Sequence, residues 1–213
     1  SNPAHIECFD NSNIQGSNPV ASCIVFKNAK PSKKDYRLFN IKTVEGPDDY
    51  ASMEEVVYRR YKRMLDENSN LPDLIVIDGG KGQLSSSIKA LKKLNLDKTI
   101  AILGIAKRLE EIFYPNDPIP LYLNKKSETL KVIQLMRNEA HRFAITFHRN
   151  KRSKQALNSS FDSIPGLGEK TKVKLLKKFK SLKLISKTPD DLLIAEIGKS
   201  KTKKLRDFLN SRS

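Results

Sequence analysis

The run Leu74, Ile75, Val76, Ile77 stops abruptly on Asp78, Gly79, Gly80 and Lys81. Four apolar residues in succession, three of them β-branched, read as a short strand over residues 73–78 with its sides covered. The glycines turn the chain, and a helical pattern follows over about 83–94. Such a segment restricts the fold, because a buried strand needs paired neighbours and a covering layer on each face. Asp78 has two readings: a helix cap, or one member of an active site whose other members lie elsewhere in the chain.

The segments around it complete an α/β layout. "HIECFD" alternates, with Ile6, Cys8 and Asp10 sharing one face. A turn-rich "NSNIQGSNP" leads to "VASCIVFKN" and "YRLFNIKTV", three strands with short connections that read as an antiparallel meander. "PDDYASMEEVVYRRYKRMLDEN" is helical, opened by Pro47, with an apolar stripe at Met53, Val57, Tyr61, Met64 and Leu65. After the central strand come a helix, the strand "TIAILGIAK" and a loop, "EEIFYPNDPIPLYLN", with room for a small hairpin. One long helix closes this part, with Leu130, Ile133, Met136 and Ala140 at helical spacing. In such a layout a later parallel strand pairs beside the first, which would set Asp10 and Asp78 at the carboxyl ends of neighbouring strands. That edge is where open α/β sheets place their sites.

Charge narrows the partners. The chain of 213 residues carries a formal net charge of +16 and a pI near 9.8, which favours a polyanion: nucleic acid or an acidic membrane surface. Residues 1–155 hold 26 Lys and Arg against 18 Asp and Glu, whereas residues 156–213 hold 14 against 6, the same excess in far less chain. The shift falls near "NKRSKQALNSS", read as a helix end and linker, so a domain boundary is expected at 155/156. No stretch approaches the roughly 18 apolar residues of a membrane span, and no signal-like segment opens the chain. Cys8 and Cys23, without metal-ligand spacing, are expected as reduced core thiols in a cytoplasmic protein.

Two neighbouring carboxylates that stay ionised call for a counter-charge, and oxygen ligands with retained waters suit Mg²⁺ or Mn²⁺. The closing helix offers His141, with Glu139 and His148 nearby; His141 and His148 are two turns apart, about 10 Å along the axis, too far to share one ion. Composition alone leaves His141 open between a packed side chain and a functional one. Lys81, in a glycine turn before a helix, is equally open between a backbone-phosphate contact and a solvated lysine. The spacing of a Walker A motif is absent, so nucleotide hydrolysis is a poor reading.

"CFDNSNIQG", "GPDDYASMEEVVYRRY", "PDLIVIDGGKGQL" and "MRNEAHRFAITFHRNKR" together resemble the carboxyl-terminal half of the UvrC family, the bacterial excision-repair nucleases. The resemblance runs through essentially the whole chain, in order. It implies a ribonuclease-H-like mixed sheet flanked by helices over residues 1–155, then a small all-α tandem helix-hairpin-helix domain over 156–213. It implies a metal-dependent endonuclease that makes the 5′ incision at damaged sites, working with UvrB. Its Asp-Asp-His triad falls on Asp10, Asp78 and His141, which would hold Mg²⁺ or Mn²⁺, and a further family carboxylate falls on Asp49, whose place at a helix start also suits capping. Asn138 stands where the family usually shows aspartate.

In the basic tail, "SIPGLGEKTKVKLLKKF" would turn on Gly166 and Gly168 and meet DNA phosphates through Lys170, Thr171 and Lys172. The second copy, "IAEIGKSKTKKLRDFL", would use Gly198, Lys199, Ser200 and Lys201, with Ser200 in place of a second glycine. Binding of double-stranded damaged DNA is expected to be sequence-independent and salt-dependent. The competing expectation is a non-catalytic DNA-binding or docking module. Ribonuclease-H-like cleavage of RNA is a third reading, disfavoured by the paired hairpins.

Overall fold

The computed structural model describes residues 3–12, 20–44, 46, 48–106, 111–162, 164, 166–179 and 182–210. Pro47, the turn over 13–19, Lys107, Ser163 and Pro165, all part of the readings above, lie outside the described residues. The chain divides into two compact units, Ser1–Phe147 and His148–Ser213.

The first unit is built on a mixed sheet. Its strands are β1 (His5–Ser12), β2 (Val20–Lys27), β3 (Lys30–Pro31), β4 (Arg37–Asn40), β5 (Leu74–Asp78), β6 (Ala101–Ala106) and β7 (Glu111–Phe113). The order is β3-β2-β1-β5-β6-β7, with β4 also pairing β2. β1 runs antiparallel to β2 and parallel to β5, and β5 runs parallel to β6, so the central strand is paired on both edges. Helices α1 (Asp49–Asp66) and α2 (Lys81–Lys93) cover one face, where Phe9, Ile75 and Ile77 meet Met53, Val57 and Leu91. Helix α3 (Glu128–Asp162) covers the other, where Ile6, Cys8 and Val76 meet Ile133, Met136 and Ala140. The mixed sheet flanked by helices expected from the resemblance is present.

Several local expectations change. Leu65 leaves the buried stripe of α1 and is 39% exposed. Helix α2 starts at Lys81, two residues before the sequence pattern suggests, because Gly80 already serves as its N-cap. Residues 150–160 form no linker: α3 runs unbroken through them, since their polar composition contains neither glycine nor proline to stop a helix. The loop after β7 does hold a hairpin, closed by the antiparallel bridge from Ile112 to Leu121.

β1 is buried on both faces from Ile6 to Asp10. Glu7 is fully buried on the face opposite Cys8. The fork of Arg60 grips it through Nη2 at 2.5 Å and Nε at 3.1 Å, and the Tyr61 hydroxyl donates at 3.1 Å. Burial pushes the Glu7 pKa up, but hydrogen bonds from His5 and Arg60, with the Arg60 charge, outweigh it and bring the group from 4.5 to about 2. The result is a structural ion pair that ties α1 to the sheet's central strand.

In the second unit, α4 (Glu169–Phe179), α5 (Leu182–Lys187), α6 (Asp190–Ile197) and α7 (Lys199–Asn210) surround a small core of Ile164, Leu167, Leu175, Ile185, Leu193, Ile197 and Leu205. The helices after the two glycine turns start at Glu169 and Lys199, immediately after Gly168 and Gly198. Gly166 and Gly198 both sit at positive φ, +80° and +84°, where a side chain would be strained. Among the described residues no helix is long and apolar enough to cross a membrane. Cys8 and Cys23 are both buried and unbridged.

Candidate active site

Parallel pairing brings the two aspartates together. The register of β1 on β5 runs from Ile6 opposite Leu74 to Phe9 opposite Ile77, so the next residues along each strand are Asp10 and Asp78. Neighbouring strands lie about 5 Å apart, and residues at equal register project to the same face. Asp10 is 1% and Asp78 3% exposed. Cys8 reports their charge: burial pushes its thiol well up, and Asp78 and then Asp10 push it further, while Arg137 opposes them.

Helix α3 supplies the third member from above that face. His141 Nδ1 lies 3.6 Å from Asp10 Oδ2, with the imidazole 57% exposed. A carboxylate held out of water thus meets a ring open to solvent. Ser22, the partner of Asp10 across the β1–β2 ladder, is fully buried and donates its hydroxyl to the carbonyl of Ala140 at 3.2 Å. The residue beside Asp10 therefore holds the helix turn that carries His141. Glu139 steadies the same turn from outside, accepting from Arg142 Nε at 2.6 Å and from the Tyr36 hydroxyl at 3.2 Å. Hydrogen bonding from Arg142 keeps its carboxyl below the ordinary range. His148 belongs to the second unit.

The turn between β5 and α2 is tightly built. A Cβ on Gly104 of β6 would lie 3.0 Å from the Gly79 carbonyl oxygen, and one on Gly82 would fall 2.5 Å from the Tyr50 ring. Glycine at these positions lets the backbone after Asp78 approach β6 and the start of α1. Asn11, next to Asp10, donates to the Asp49 carbonyl at 2.9 Å, so the start of α1 is tied to the aspartate edge. The capping role that suits a carboxylate there belongs to Asp48, whose side chain accepts from the amides of Tyr50 and Ala51, and not to Asp49. Lys81 is engaged within the protein: its ammonium donates to the Pro118 carbonyl at 2.6 Å and lies 5.3 Å from the Phe113 ring centre.

Sequence reasoning passed over Ser22, Arg137 and the Glu7–Arg60 pair. A charged residue inside an apolar strand is the signal that marks Glu7; nothing local marks Ser22, whose role arises only from pairing. Among the described residues no three His, Cys, Asp or Glu side chains converge as a ready metal cage. The donors that do stand together, two buried carboxylates side by side on neighbouring strands although β1 runs on to Ser12 beyond Asp10, fit a hard divalent cation that completes its shell with water and substrate oxygens.

Residues 1–145 match the family described as the UvrC RNAse H endonuclease domain. The chain belongs to the UvrC family. This UvrC chain is 69% identical over 206 residues to UvrABC system protein C of Flavobacterium johnsoniae, covering 97% of this chain and 34% of that protein. It is 60% identical over 210 residues to the protein of the same name from Porphyromonas gingivalis strain W83, covering 99% of this chain and 35% of the relative. It thus spans about a third of the length of the curated relatives it matches. A looser likeness links it to endonuclease V of Ciona intestinalis in complex with a 23mer DNA containing an inosine, at 17% identity and TM-score 0.38, covering 64% of this chain and 56% of that one. The UvrC unit carrying Asp10, Asp78 and His141 is by family an endonuclease domain.

Proposed function

We propose that the first unit makes the 5′ incision at damaged sites in bacterial nucleotide excision repair, and that it depends on Mg²⁺ or Mn²⁺. The observation that supports this most directly is the equal register of Asp10 and Asp78 beneath His141. Asp10 and Asp78 would hold the ion, which when bound polarises the phosphoryl oxygen and eases deprotonation of water. The sheet holds the two carboxylates rigidly, so little reorganisation is needed when the backbone of DNA arrives. His141, oriented by Asp10 and open to solvent, is placed to carry a proton between the reacting oxygens and bulk water. Water adds to phosphorus as the bond to the 3′ oxygen breaks, leaving a 3′-hydroxyl and a 5′-phosphate. Asp49, tied to this edge through Asn11, is proposed as an auxiliary carboxylate.

The second unit is proposed as a tandem helix-hairpin-helix module that grips damaged duplex DNA without reading sequence. Gly166, Gly168, Lys170, Thr171 and Lys172 would form one phosphate contact, and Gly198, Lys199, Ser200 and Lys201 the other. The working division is residues 1–155 for cleavage and 156–213 for grip. UvrB would be met through the longer protein, in the cytoplasm.

Nicking 5′ to a lesion by the full repair complex carrying Asp78→Asn tests the nuclease reading. A fall of at least about a hundredfold is expected; undiminished nicking removes Asp78 from the chemistry. The lack of a three-ligand cage among the described residues favours a second reading, a docking module without its own chemistry. Titration with Mn²⁺ separates the two: the nuclease shows a site that Asp10→Asn abolishes, and the docking module shows none.

A further inference from the structure

A groove of about 450 Å³ runs between α2 and the hairpin after β7, lined by Lys81, Ile88, Lys89, Lys92, Tyr114 and Pro118 among others. Lys81 is shared with a second hollow, at Asp49, Tyr50 and Gly80, which borders the turn after Asp78. The groove therefore begins where the aspartate edge ends.

Its two walls differ in chemistry. On α2, Lys89 and Lys92 are exposed, three residues apart on one face, and neither has a carboxylate partner among the described residues. Four of the large apolar side chains exposed in the first unit crowd the hairpin opposite: Tyr114 at 43%, Ile119 at 72%, Leu121 at 43% and Tyr122 at 58%. Lys81 pins that hairpin to the start of α2 by its bond to the Pro118 carbonyl, so the groove is held open rather than formed on demand. Asp117 also lines the groove, its carboxylate accepting from the Ile119 amide at 2.9 Å. Two exposed lysines in no ion pair among the described residues, beside an exposed aromatic ring, are the elements of a single-strand platform, in which phosphates meet lysines and a base stacks on the ring. The volume suits a ligand of nucleotide size rather than a double helix.

We propose that this groove receives single-stranded DNA leaving the scissile phosphate, with Lys89 and Lys92 on its backbone and Tyr114 under a base. The proposal rests on the nuclease reading for its direction, since the strand is the one passing Asp10 and Asp78. A protein partner on the same apolar hairpin is the competing occupant.

The sequence contains no tryptophan. Tyr114→Trp therefore installs a sole reporter at an exposed position, and titration of that chain with an oligothymidylate single strand reads the groove directly. Emission should fall by about half or more through base stacking, and Lys89→Ala with Lys92→Ala should weaken that phase at least fivefold and lower its log–log salt slope by about 1.4. Emission that stays constant while the anisotropy of a labelled strand shows binding overturns the proposal, as does quenching by duplex alone. Quenching that survives both lysine changes likewise overturns it. Asp78→Asn in the same background separates the two readings. Loss of nicking with an unmoved reporter rejects the groove alone; normal nicking with full quenching rejects the nuclease assignment alone.

Discussion

Ser22 and Glu7 show how single residues prepare this site without belonging to it. Ser22 couples the strand beside Asp10 to the carbonyl preceding His141. Ser22→Ala removes a buried hydrogen bond worth about 1 kcal/mol. A drop in melting temperature of a few degrees should accompany a several-fold loss of nicking, and mixed-metal assays should show Mn²⁺ affinity nearly unchanged. Glu7 sets a pH limit. Its folded pKa is about 2 against an ordinary 4.5, a depressed value. The pair's contribution is therefore complete above about pH 4.5 and is lost as pH falls toward 2, amounting to about 3 kcal/mol. Urea unfolding at stepped pH values should show that decline in the parent protein and a flatter profile in Glu7→Gln. Identical profiles would rule out Glu7 as the source. Arg60→Ala should be worse than either change at neutral pH, because it strands a buried carboxylate.

At the scale of elements, the turn from β5 into α2 decides how Asp78 is presented. A methyl group on Gly104 meets the Gly79 carbonyl, which is backbone and cannot swing aside. Gly104→Ala should cost about 1–3 kcal/mol in chemical unfolding, and nicking should fall further than that stability loss accounts for, because Gly79 follows Asp78 directly. Helix α1 separates two roles on adjacent residues. Asp48→Ala should lower stability by about 1 kcal/mol through loss of the cap while nicking stays within a few-fold. Asp49→Ala should leave the melting temperature nearly unchanged, so any deep loss of nicking marks Asp49 as part of the reaction.

For the whole molecule, the net charge of +16 predicts DNA affinity that falls steeply with salt. A chain neutralising 6–10 phosphates loses roughly 10³–10⁵ in affinity between 50 and 200 mM salt. Anisotropy over that range, with matched duplexes of unrelated sequence, should give one common slope. A sequence-dependent slope would contradict a grip confined to the backbone. The charge was legible in composition, and so were the strand and helix types, because apolar periodicity reports which side of a segment faces away from water. The linker was not: a polar stretch resembles one, yet residues 150–160 lack a helix breaker and stay within α3. Residue type and family resemblance picked out Asp10, Asp78 and His141, which the fold brings together, whereas Ser22 left no trace in the sequence around it.

Local pattern determined that Asp78 would close an apolar strand, that Asp10 would share a strand face with Ile6 and Cys8, and that a long amphipathic helix would carry His141, since burial and helical period act over a few residues. Only the tertiary structure decided that β1 lies beside β5 in a register placing one aspartate next to the other. It alone decided that the face they share lies beneath α3, and that Lys81 pins a hairpin instead of standing free. Strand order and side-chain partners depend on groups separated by tens of residues, whose energies exist only once the sheet has closed.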